Sequence, residues 1–185
     1  KVESYLYQFD RGIKLLEVGC EDCYHAICTD EADVGLALCM QRDFPECGFE
    51  EVNRLKAYVL VNEMSPLARR SQLSVFDLKD QRIALMSESS FQYEPLFSQL
   101  GSLGYDFSNL SIAATASGLY GIKRNEAVGI ATSYFVESLP EGMRAVPFDD
   151  TRYDWCIYAL YPKRSNRLAT IMRFVQGLRK SYLDA

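Results

Sequence analysis

Short apolar runs alternate with helix-length amphipathic phrases along the chain, and that alternation restricts the fold more than any single motif. Strand, helix and strand in succession favour a mostly parallel sheet with helices on its faces. Apolar runs at 13–18, 33–38, 55–61, 83–86, 110–114, 128–132, 144–147 and 155–161 read as strands. Residues 21–29 read as a short helix, and 44–51, with Pro45 and Gly48, as a loop. Leu96, Phe97, Leu100 and Leu103 lie on one stripe of a helix over 93–103. Helices are also predicted over 117–125 and over 134–139, the latter capped by Ser133. Ser165 caps a last helix whose Leu168, Ile171, Met172, Val175, Leu178 and Tyr182 form an apolar stripe.

Residues 65–88 (SPLARRSQLSVFDLKDQRIALMSE) punctuate this series. A Ser-Pro turn and a basic pair precede a short helix-like phrase at 73–79, an apolar strand, and the polar knot Ser87-Glu88-Ser89-Ser90. The chain leaves one unit here and starts another. Two lobes follow: 1–64 with 147–185, and 65–146, joined by two crossing strands. The 185 residues suffice for two small lobes. Residues 1–64 hold 6 basic and 13 acidic groups, and 147–185 hold 7 and 4. The acidic start and basic end would partly neutralise each other in a shared lobe.

A net charge of −5 argues against this chain gripping nucleic acid by itself. No segment approaches the roughly 18–20 apolar residues of a membrane span. The six cysteines, in a chain that opens on Lys1-Val2-Glu3 rather than a secretory leader, fit reduced thiols in the cytoplasm.

In open α/β sheets, small ligands sit at the carboxyl ends of strands. Ser87, Glu88 and Ser89 hold that place after 83–86, Thr115 and Ser117 after 110–114, and Thr132 after 128–132. Hydroxyls and backbone N–H groups there suit a polar or anionic ligand, although plain helix capping would use the same residues. Cys20 and Cys39 end strands of the first lobe and would face the same cleft, although a buried cysteine is more often simply core.

The phrases at 65–68 and 78–85 resemble the "hPLA" and "l.dL.d..il" of the effector-binding domain of LysR-type transcriptional regulators. Residues 12–19 (GIKLLEVG) resemble that family's "yP.v.l.l.eG" strand, and 31–38 (EADVGLAL) its "g.lDlai". Residues 119–130 are similar to the stretch ending "V.aG.Gi.llP", 144–147 to the return strand, and 171–178 to the closing helix. The usual glycine pair reads Glu126-Ala127-Val128-Gly129 here, and the following proline is replaced by Ala131-Thr132-Ser133. The resemblance implies two Rossmann-like lobes of the type 2 periplasmic-binding-protein kind, a small effector bound between them, and homodimers or tetramers. It implies DNA contact only through an N-terminal helix-turn-helix outside this chain. It also places the first strand of the first lobe upstream of Lys1, and counts the loop after 83–86 among the effector contacts.

Two other readings stay open. A solute-binding receptor could share this architecture. Cys20, Cys23, His25 and Cys28 could form a metal or redox site. Against a metal, Cys23 and Cys28 are five residues apart on a helix and point to different faces, so no metal and no cofactor are expected. Enzyme chemistry has little to build on, because His25 is the only histidine and no glycine-rich phosphate loop or nucleophile elbow occurs.

Overall fold

The computed structural model describes residues 5–6, 14–85, 91–112 and 115–183, with the side chains of residues 115, 116 and 183 outside the description. The chain forms two compact units, Lys1–Arg54 with Cys156–Ala185, and Leu55–Trp155. The expected second segment, 65–146, falls within the second unit, which also takes in the strand before it and the stretch after it.

The first unit contains α1 (Cys20–Cys28) and a three-stranded sheet of β1 (Gly35–Met40), β2 (Gly48–Leu55) and β8 (Trp155–Tyr161), with β8 in the middle. Its sequence WCIYALY is apolar on both faces and buried almost throughout, as a central strand must be. The last helix, α5 (Leu168–Leu183), buries Ile171, Phe174, Val175 and Leu178 against Val52 and Ala159. That is the i, i+3, i+4, i+7 spacing of an amphipathic helix. Arg167 pairs with Asp33 at 3.0 Å and Arg179 with Glu50 at 3.8 Å, so the acidic start and basic end do meet. Helix α1 lies close on β1 because residue 35 is glycine: a Cβ there would stand 2.5 Å from Cys23 Sγ.

The second unit is a five-stranded sheet in the order β5–β4–β6–β3–β7. Its strands are β3 (Ala57–Asn62), β4 (Ile83–Leu85), β5 (Leu110–Ile112), β6 (Val128–Thr132) and β7 (Met143–Pro147). β4 pairs in parallel with β5 on one side and β6 on the other. β3 runs antiparallel to both β6 and β7, with Val59 opposite Ile130 and Val146. Helix α2 (Glu94–Ser102) connects β4 to β5, α3 (Thr115–Lys123) connects β5 to β6, and α4 (Ser133–Val136) follows β6. Leu60, Ile122, Ala131 and Met143 pack one side of the sheet.

Three local expectations change. Residues 14–19 are irregular rather than a strand, with Leu15 and Leu16 each more than 70% exposed. A strand exists only with a ladder partner, and none of the described strands pairs with this segment. The expected loop at 44–51 and single strand at 55–61 become two strands, β2 and β3, separated at Lys56. Charged Glu50, Glu51 and Arg54 mask β2 in the sequence. The short helix after β6 begins at Ser133, with Thr132 as its cap residue and no side-chain capping bond.

Candidate functional site

The second unit has one topological switch. From β4 the chain passes through α2 to β5 on one side, and then through α3 back across to β6 on the other. The connections therefore diverge at the carboxyl end of β4, the usual ligand crevice of an open α/β sheet. β7 is antiparallel to β3, and β3 to β6, so β4, β5, β6 and β7 all end at the same edge.

The predicted residues distribute around this edge. Ser87, Glu88 and Ser89 lie outside the described residues. Thr115 opens α3, and Ser117 is exposed in its first turn. Thr132 ends β6, half-buried and opposite Ala57. The switch thus places Thr115 and Ser117 on one flank of β4 and Thr132 on the other.

Two aromatic residues at this edge carry no sequence motif. Tyr93, the cap residue of α2, is buried and meets Trp155 edge-on, with ring centroids 5.1 Å apart. Trp155 Nε1 is buried without a hydrogen-bond partner, which is costly for a donor of this kind. The only sign in the sequence is that Trp155 is the sole tryptophan. The same edge carries a polar concavity of about 530 Å³ lined in part by Ser74, Phe76, Gln99, Asp150, Arg152 and Tyr153. Arg152 donates to Asp150 at 2.6 Å and holds its carboxyl below the usual carboxylate range. Ser74 and Asp77 cap each other's turn, Ser74 N–H donating to the carboxylate at 2.8 Å.

In the first unit, Cys20 does not end a strand. It opens α1, with Gly19 as cap residue and the Cys23 N–H donating to the Gly19 carbonyl at 2.8 Å. Cys39 lies in β1 and is fully buried. The fold brings these two thiols together: the Cys39 side chain hydrogen-bonds Cys20 and lowers its pKa, against the effect of burial, with Arg42 assisting. The same contact and burial push Cys39 up. Cys23 shares the buried face of α1 with Cys20, and burial raises its thiol to about 11. Cys28 points elsewhere, toward Tyr24, Glu46 and Cys47. Among the described residues, no three His, Cys, Asp or Glu side chains are grouped to hold a metal ion. No described helix is long and apolar enough to cross a membrane.

The family described as LysR substrate binding domain matches residues 12–182. The BenM effector binding domain with its effector benzoate superposes with a TM-score of 0.72 at 14% identity, covering 98% of this chain and 86% of that one. The reduced OxyR regulatory domain from Pseudomonas aeruginosa superposes with a TM-score of 0.65 at 13% identity, covering 96% and 88%. Full-length BenM gives 0.73 at 14% identity, and this chain spans 63% of its length. These likenesses show the two-lobed, periplasmic-binding-protein-like fold. A search of curated protein sequences finds no match.

Proposed function

The chain belongs to the LysR substrate-binding-domain family, and from that premise we propose that it is the ligand-sensing part of a transcriptional regulator. The observation that carries this reading is the family match over residues 12–182, nearly the whole chain. The sensed molecule is small and polar or anionic. It is held by the loops at the carboxyl ends of β4, β5 and β6, through Ser87, Glu88, Ser89, Thr115, Ser117 and Thr132. A ligand changes the protein's state only through different affinities for two arrangements, here arrangements of a homodimer or tetramer in the cytoplasm. DNA is contacted by a separate domain of the full protein. The role is recognition, without a catalysed reaction.

A thermal-shift screen against small carboxylates, sugars and aromatic acids tests this. A ligand at 100 times its Kd stabilises the protein by about 2.7 kcal/mol. Thr115→Ala and Ser89→Ala should each weaken a hit in calorimetry while leaving the ligand-free melting temperature nearly unchanged. Unchanged affinity in both variants rejects the strand-end site.

A further inference from the structure

The polar concavity of about 530 Å³ belongs wholly to the second unit, between α2, the turn at Val75–Leu78 and residues 149–153. It stands apart from the strand-end hydroxyls, since neither Ser117 nor Thr132 lines it. The polar groups on its wall offer acceptors rather than donors. Among the described residues, Arg152 is the one cation on the wall, and it is already engaged. Its backbone N–H donates to Asp150 Oδ1 at 2.8 Å, and its Nε and Nη2 reach Oδ2 at 2.8 and 2.6 Å. The Ser74 hydroxyl gives its hydrogen to Asp77 at 3.0 Å, which leaves only lone pairs for the cavity. Asp149 is exposed and pairs with no cation among the described residues, and the Gln99 carboxamide has no partner there either. Tyr153 points to a ligand independently. It lines the cavity and is 1% exposed, yet its hydroxyl is buried without a hydrogen-bond partner. A buried hydroxyl left unpaired is costly and rare. Burial raises its pKa, with Arg152 opposing, so it stays a neutral phenol able to accept a hydrogen bond. On the rim, the Phe76 ring keeps 66% of its surface exposed.

We propose that this cavity is a second ligand site, which takes a small organic cation: a primary ammonium carrying an apolar arm. The ammonium has three hydrogens and no acceptor, the complement of this wall. It gives one hydrogen to Asp149 and the others to the Gln99 carbonyl and the Tyr153 oxygen. The arm lies along Phe76, since an exposed aromatic face beside an unpaired carboxylate attracts such ions. An anion finds no free positive group here: two carboxylates, Asp149 and Asp150, face a single guanidinium whose hydrogens are already donated. The cavity therefore selects the charge opposite to that of an anionic ligand at the strand ends, and the two sites can be occupied independently.

The test titrates the chain at low salt with benzylammonium chloride and, separately, with its neutral counterpart benzyl alcohol. Calorimetry reads the affinity, and the fluorescence of Trp155, the sole tryptophan, reads occupancy close to Tyr153. Benzylammonium should bind with a Kd of about 1 mM or below, and about tenfold more tightly than benzyl alcohol. Asp149→Asn should weaken it about fivefold, and Phe76→Ala about threefold. Tyr153→Phe should weaken it about fivefold, while the melting temperature of the ligand-free protein stays level or rises because no hydrogen bond is lost. A hydroxyl that only supports the fold would give the reverse pair of readings. Equal affinity for the two probes, no binding of benzylammonium at about 10 mM, or a Tyr153→Phe variant that melts lower and binds as before, overturns the proposal. If Tyr153→Phe does not fold, the exposed Asp149 decides: unchanged affinity in Asp149→Asn overturns the proposal as well.

Discussion

Replacing Asp154 by alanine probes how the second unit is fastened. Asp154 is 8% exposed, and its Oδ1 accepts a hydrogen bond from the Ala57 N–H at 3.0 Å, both groups being buried. Ala57 is the first residue of β3, the strand bonded to both β6 and β7. Its carbonyl is already engaged by the Phe148 N–H at 3.1 Å, so the Asp154 carboxylate secures the other half of the same peptide neighbourhood. Asp154→Ala removes a hydrogen bond to a charged group and leaves a buried N–H without a partner. The two effects together are worth about 2 kcal/mol, within the range for such deletions. With a urea dependence of about 2 kcal/mol per M, the unfolding midpoint of this unit should fall by about 1 M. Asp154→Asn keeps an acceptor oxygen in place and should lose less than half as much. Urea titration by fluorescence of Trp155, which lies next to the substituted residue, reads the midpoint. Hydrogen exchange of the peptide covering residues 55–62 should show the Ala57 amide deprotected in the alanine variant. A midpoint shift below about 0.2 M, or equal losses for alanine and asparagine, would refute the reasoning.

Two further outcomes follow from the first unit. The Cys23 and Cys47 thiols are each raised to about 11 from an ordinary 9.0, mainly by burial. A group whose folded pKa lies above its unfolded value favours folding below the unfolded value and loses that contribution as pH rises through the folded one. Stability should therefore hold up to about pH 9 and decline toward pH 11, and Cys23→Ala should flatten the decline, as read by urea midpoints at pH 8 and 10.5. Gly35→Ala would put a methyl group 2.5 Å from Cys23 Sγ and 3.2 Å from Ile27 Cγ1. It should cost about 1–3 kcal/mol by overpacking, and adding Cys23→Ala should recover most of that loss; a double variant no better than Gly35→Ala alone would assign the cost to the backbone instead.

Some elements are legible from local pattern because local pattern decides them. β6 and β8 are recognisable as unbroken apolar runs of strand length, and both are buried on two faces. The stripe on α5 is visible because one face of a surface helix must be apolar wherever it packs. β2 escapes notice because it carries Glu50, Glu51 and Arg54, whose charges are answered by Arg179 and by an ion pair within the strand. The reverse error occurs at residues 14–19, apolar enough for a strand but with no described strand alongside. At the candidate site, the strand-end hydroxyls Thr115, Ser117 and Thr132 can be named in advance because each follows an apolar run. Tyr93 and Trp155 cannot, since 62 positions separate them and only packing joins them.

The chain's own order of residues determines the alternation of elements, the apolar stripes, the polar strand ends and the phrases that mark its family. Those depend on neighbours a few residues away, which any stretch of sequence displays. Tertiary structure decides which strands pair, where the two units divide, and that a thiol at a helix start meets a thiol in a strand nineteen residues later beside Arg42. Such contacts arise from long-range pairing and burial, whose free energy belongs to no single segment.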